Sequence, residues 1–212
     1  MSHHSADAYR PQGLSSPEAT REIVRRARQD GPAGFRALYE RLAPSLLAWA
    51  RLRMAAKSVA QGDPEDLLQE VWLRAVEEFP AYDPERSSFR AWIFGIAKHV
   101  LYEIWRQEGR RGPALPAGEK SAALAAWPDV ATTIRTRMAR DESLERLLKR
   151  AQEFDPLDRM LLLHCGFEDM SRPQAARQLG IGVEAAEKRW QRLRAWIVER
   201  RFVELLELRE TL

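Results

Sequence analysis

Apolar residues recur along this chain at intervals of three and four, and no segment alternates at the interval of two that a half-buried strand requires. Phe35, Leu38, Leu42, Leu46, Trp49 and Leu52 trace one helical face. Leu67, Leu68, Val71, Trp72, Ala75, Val76 and Phe79 trace a second, and Ala186, Trp190, Leu193 and Ile197 a third. This patterning predicts an all-α fold.

Punctuation residues divide the helices. Ser16-Pro17 starts the first, and Gly31, Pro32 and Gly34 interrupt it. Pro44 predicts a break or kink within Phe35–Met54. Asp63-Pro64-Glu65-Asp66 combines a cap, a first-turn proline and acids facing the positive helix end. Pro80 ends that helix. After the polar turn 82–88, Ser87 or Ser88 caps a helix from about Phe89 to Gln107. Residues 109–131 are rich in Gly, Pro and Ala without sustained periodicity, as in a flexible linker. Beyond it Leu144, Leu147, Leu148 and Ala151 share a face. Phe154-Asp155-Pro156 breaks that helix, Leu157–Leu163 forms the next, and the last runs from Val183 toward Glu210. The expected organisation is a flexible lead at 1–17, a helical domain at 18–108, the linker, and a second helical domain at 132–212.

Composition removes several classes. The single cysteine, Cys165, excludes an internal disulfide framework and fits a reducing cytoplasm. No apolar run approaches the roughly 20 residues that span a bilayer, so no membrane insertion is expected. His3 and His4 lack partner ligands nearby in sequence, and the acids of 63–79 lack a histidine at ligand spacing, so no metal is expected. Nucleotide-loop, zinc-protease and nucleophile-elbow patterns are absent. With His99, His164 and Cys165 forming no nucleophile–base array, the reading is a non-enzyme with no catalytic residue and no cofactor. A net charge of +3 permits nucleic-acid binding without requiring it.

Two segments carry binding chemistry. Residues 171–194, SRPQAARQLGIGVEAAEKRWQRLR, place a short helix, Gly180, a plug at Ile181 and a second helix in helix-turn-helix order. Glu184, Lys188, Gln191 and Arg192 fall on the outer face, where lysine or arginine suits phosphate or guanine and glutamine suits adenine. An ordinary helical hairpin with a solvated face fits the same segment. Residues 82–111 interleave Tyr82, Phe89, Trp92, Phe94, Tyr102 and Trp105 with Arg86, Arg90, Lys98, His99 and Arg106. Rings that stack on bases beside cations that follow the backbone suit single-stranded nucleic acid. An amphipathic helix with core aromatics and solvated arginines fits equally.

Taken together, FRALYERLAPSLLAWARLRM (35–54), DPEDLLQEVWLRAVEEFPAYDP (63–84), SSFRAWIFGIAKHVLYEIWRQEGRR (87–111) and FEDMSRPQAARQLGIG (167–182) resemble, in order and spacing, the extracytoplasmic-function (ECF) sigma factors of bacterial RNA polymerase. The resemblance implies that Asp66, Leu67, Gln69, Glu70 and Leu73 dock on core RNA polymerase. It implies that Tyr82, Arg86, Ser87, Ser88, Arg90, Lys98 and His99 meet promoter DNA at the minus-ten element. Glu187, Lys188, Gln191 and Arg192 would meet the minus-thirty-five element. An anti-sigma factor is the further partner it implies. The sequence departs from the family at Asp169, where glycine is usual, at Gly182, where Ser or Thr is usual, at Glu187 and at Glu103. The competing reading is a stand-alone helix-turn-helix regulator that does not join the polymerase.

Overall fold

A computed structural model describes residues 17–30, 32–55, 63–109, 142–200 and 202. Among them there are eight α-helices and no strand: α1 (Pro17–Asp30), α2 (Pro32–Ala55), α3 (Pro64–Glu78), α4 (Phe89–Gly109), α5 (Glu142–Gln152), α6 (Pro156–Leu161), α7 (Arg172–Leu179) and α8 (Val183–Glu199). A 3-10 turn, Phe79–Ala81, follows α3, and a π turn, Leu162–Phe167, continues α6. Nearly all of the predicted lead and linker, with His3 and His4, lies outside the described residues.

The caps explain several boundaries. Asp63 accepts a hydrogen bond from the Glu65 amide at 2.9 Å and Pro64 opens α3. Asp155 does the same for the Leu157 amide, with Pro156 opening α6. Gly180, at φ +65°, ends α7 in the left-handed region that favours glycine.

Three expectations are corrected. Pro44 neither ends nor divides α2, which runs unbroken from Pro32 to Ala55. An internal proline costs about 3 kcal/mol, whereas burying a Leu-sized side chain contributes ~1.5–3 kcal/mol. Leu42, Leu46 and Trp49, all fully buried, outweigh it. Gly34 does not interrupt a helix; it lies inside α2, where a Cβ would stand 2.4 Å from the Ala27 Cα, so it permits close crossing of α1. The last helix stops at Glu199 rather than near 210. The Phe202 amide reaches back to the Ile197 carbonyl at 3.0 Å, and its ring packs 5.3 Å from Trp196.

The two helical halves pack against each other through buried residues of both. Trp49 of α2 meets Phe94 of α4 at 5.8 Å, and Phe94 meets Phe167 of the second half at 6.4 Å. Arg51 of α2 also pairs with Glu145 of α5 at 2.8 Å. Aromatic side chains long enough to bridge the halves give them a common apolar interior.

Candidate polymerase and nucleic-acid interface

On α3, core packing sorts the predicted docking residues. Leu67 is 1% exposed and belongs to the core, so it is not part of the outward face in this conformation. Asp66 is exposed, and Gln69, Glu70 and Leu73 are half-buried. They share a side because residues three and four apart are neighbours on a helix. Glu70 is held by Arg74 at 2.7 Å, and Arg74 also grips Glu103 of α4 at 2.7 Å. The Arg74 hydrogen bond pulls the Glu103 carboxyl below its ordinary pKa. His99 completes this ladder at 2.9 Å from Glu103.

Between α3 and α4 the chain makes an aromatic turn. Tyr82 is buried, with Trp92 at 5.0 Å and Phe89 at 5.5 Å, and its hydroxyl donates to the Ser87 carbonyl at 2.9 Å. Arg28 of α1 donates to the Tyr82 carbonyl and lies over the ring, 5.8 Å from its centroid. Ser88 caps α4, accepting from the Ala91 amide at 3.1 Å. A cavity of about 270 Å³ opens between this turn and α1, lined by residues that include Arg21, Val24, Arg28, Tyr82, Phe89 and Asp169. Arg86 is exposed.

Several expected DNA-facing groups are instead engaged by the second half. Ser88 Oγ donates to Asp169 at 2.8 Å. Arg90, only 6% exposed, donates to the carbonyls of Phe167 at 2.9 Å and Gly166 at 3.3 Å. Lys98 lies 3.5 Å from Glu168. The Glu168 side chain is wholly buried, with Arg53 paired to one oxygen, the Trp49 indole donating at 2.8 Å and His164 Nδ1 at 2.9 Å. Burial pushes this carboxyl upward, but the bond to His164, then the charge and hydrogen bond of Arg53 and that of Trp49, outweigh it. The result is a pKa of about 2. Sequence reasoning missed this cluster: Trp49/Arg53 and His164/Glu168 are each four apart, but no local pattern joins one pair to the other or to Lys98. The departure from glycine at Asp169 was the one local signal. Asp169 does adopt a left-handed φ of 55°, where non-glycine residues are uncommon.

The second site is the α7–α8 pair. Ser171 donates through its amide and hydroxyl to the Gln174 side chain at 3.2 and 2.9 Å. The Ile181 amide then donates to the Ala176 carbonyl at 3.1 Å, locking the turn after Gly180. Ala186, Trp190, Leu193 and Ile197 are buried as their spacing predicts, leaving Glu184, Lys188, Gln191 and Arg192 exposed. Glu187 pairs with Arg172 at 2.7 Å, tying the two helices together. Arg189 braces α8 against α6 through Asp158 at 2.6 Å.

Among the described residues no group of three or more His, Cys, Asp or Glu side chains could hold a metal ion. Burial raises the Cys165 thiol to about 11, far from a nucleophile's range. No described helix is long and apolar enough to cross a membrane.

The geometry therefore presents a partly exposed face on α3, an aromatic turn beside a cavity, and an exposed polar face on α8. The Sigma-70 region 2 family matches residues 38–111, which span α3, the aromatic turn and α4. The RNA polymerase sigma factor CnrH of Cupriavidus metallidurans is 30% identical over 149 residues, covering 68% of this chain and 77% of that one. The RNA polymerase sigma factor NccH of Alcaligenes xylosoxydans xylosoxydans is 27% identical over 183 residues, covering 86% and 94%. A solved structure of CnrH in complex with the cytosolic domain of CnrY aligns over 83% of this chain and 92% of that one, at 24% identity and TM-score 0.44. The chain belongs to the RNA polymerase sigma factors, of the ECF type. It directs transcription initiation with core RNA polymerase at promoter DNA, which sets aside the stand-alone regulator.

Proposed function

We propose that the work is divided along the chain as follows. The α3 face of Asp66, Gln69, Glu70 and Leu73 docks on core polymerase. The aromatic turn with Arg86, Ser87, Ser88, Arg90, Lys98 and His99 handles the unpaired minus-ten strand, and Lys188, Gln191, Arg192 and Glu187 read the minus-thirty-five duplex. The observation that carries this reading is the Arg74 bridge between Glu70 and Glu103, which sets the docking face and the turn-bearing helix in one rigid frame. Partner binding at one is thereby coupled to strand handling at the other. In this reading Glu187, which pairs with Arg172, accepts from a cytosine amino group in the major groove.

The protein acts by binding rather than by bond-making, in the cytoplasm, and is held in check by an anti-sigma factor. Unstacking a base costs a few kcal/mol, and stacking on protein rings returns ~1–3 kcal/mol per base. A chain of this size opens only a few pairs, and the polymerase supplies the remaining surface. Permanganate probing of unpaired promoter thymines tests this: holoenzyme gives reactivity without a hydrolysable nucleotide, and isolated protein gives none. Reactivity with the protein alone, or a nucleotide requirement, overturns the account. Replacing Asp66, Gln69 and Glu70 together with alanine abolishes core binding; because Gln69 and Glu70 are half-buried and Glu70 pairs with Arg74, circular dichroism and a thermal melt are measured alongside to show that the variant is folded. Retained binding by the folded variant refutes the docking face.

A further inference from the structure

The cavity beside the aromatic turn has a wall that the sequence did not assign to nucleic acid. Arg21, Arg25 and Arg28 of α1 line it, spaced four and three residues apart, so they rise along one helix face. All three are exposed, with Arg25 paired to Glu22 at 2.7 Å and Arg28 donating to the Tyr82 carbonyl, so Arg21 is the cation with the most freedom to meet a new phosphate; the largely buried rings of Tyr82 and Phe89 line the same cavity. Arginines on one side and aromatic faces on the other are what a nucleotide needs: charge for its phosphate and a stacking surface for its base. At about 270 Å³ the cavity is just below the range for small-molecule pockets, and so suits a single base.

An anion already sits there. Asp169 of the second half lines the same cavity and accepts from Ser88 Oγ at 2.8 Å. Its backbone takes a left-handed φ of 55° to bring the carboxylate in. The adjoining residues engage Arg90 and Lys98, two further cations of the expected strand path.

We propose that α1 forms part of the strand-binding site, its arginines holding the phosphate of a single-stranded DNA nucleotide whose base enters the cavity, and that Asp169 occupies the phosphate position until the second half withdraws. The inference rests on the reading of the turn as the minus-ten strand site. Two consequences have opposite sign. Arg21→Gln removes a cation and weakens binding; Asp169→Gly removes the competing carboxylate, suits the left-handed backbone, and strengthens it.

The test uses the full-length chain and a fluorescent single-stranded DNA twelve-mer of mixed sequence, with anisotropy read over a salt series. Arg21→Gln is expected to lower affinity several-fold and to reduce the salt slope by ~0.7, the value for one phosphate contact on a single strand. Asp169→Gly is expected to raise affinity several-fold. In the wild type, oligonucleotide is expected to accelerate amide exchange at 166–170. An unchanged slope in Arg21→Gln, an unchanged affinity in Asp169→Gly, or no binding by Asp169→Gly each overturns the proposal. Run-off transcription by wild-type protein with core polymerase, measured alongside, tests the parent reading separately. Active holoenzyme with any of those three outcomes removes the α1 site and leaves the sigma assignment in place.

Discussion

Replacing Glu168 with glutamine keeps the side chain's shape and removes the buried negative charge that Arg53, Lys98 and His164 face between the halves. The carboxyl titrates near 2 in the folded chain against an ordinary 4.5. Each pKa unit is worth ~1.36 kcal/mol, so its ionised form contributes about 3 kcal/mol. Breaking a buried pair by removing one partner costs ~3–5 kcal/mol. The lower end applies here, because Arg53 keeps 12% and Lys98 32% of their side-chain exposure and regain some water. The expected loss is therefore ~2–3 kcal/mol, read as a lower urea midpoint with the slope unchanged. The pH dependence follows from the direction of the shift. A depressed carboxyl stabilises fully above its unfolded value, and that contribution is lost as pH falls from about 4.5 toward about 2. Urea midpoints at steps through that window fall in the wild type, and the part due to this group is missing in Glu168→Gln. A cycle with Arg53→Met shows coupling of at least ~1 kcal/mol. A midpoint shift below ~0.5 kcal/mol, or the same acid slope in both proteins, refutes the reasoning.

Asp63→Ala removes the α3 cap and lowers stability by ~1 kcal/mol in thermal melts, while Asp63→Gly costs only a few tenths. Gly180→Ala meets no neighbour within 4 Å, so its cost of about 1 kcal/mol comes from the φ of +65° alone, and Gly180→Asn recovers most of it. Gly34→Ala forces α1 off Ala27; far-ultraviolet circular dichroism stays near wild type while the melting midpoint falls by several degrees, in line with an overpacking cost of ~1–3 kcal/mol.

Local rules carried much of the fold. The faces of α3 and α8 follow from apolar spacing, and Asp63-Pro64, Asp155-Pro156 and Gly180 mark boundaries because their chemistry is local. Pro44 does not break α2 because burial of its neighbours, a tertiary effect, outweighs a local penalty. The end of α8 was invisible because Phe202 folds back onto Trp196, a contact with no periodic trace. For the same reason the exposure of Lys188, Gln191 and Arg192 was legible, whereas the enclosure of Arg90 and the burial of Leu67 were not. Periodicity tells which residues share a face; it does not tell what covers that face. The Glu168 cluster draws on residues up to 119 positions apart, from Trp49 to Glu168, and such pairings are written only in three dimensions.

The π turn at Leu162–Phe167 stores one spare residue of chain. Its wider turn, in which the Glu168 amide bonds the Leu163 carbonyl five residues back, holds about one residue more than a regular α-helical turn. Removing one residue there lets the segment close into a regular helix while Glu168 and Asp169 keep nearly the same bearing. A regular helix has no such slack: each residue advances it by about 100°, so one residue lost from α8 swings everything beyond it by roughly that angle. Substitutions within the π turn meet a different barrier, because Leu162, Leu163, His164, Gly166 and Phe167 are all buried. A deletion scan across 162–167 and 184–189 should therefore show tolerance in the first window and a sharp gap in the second.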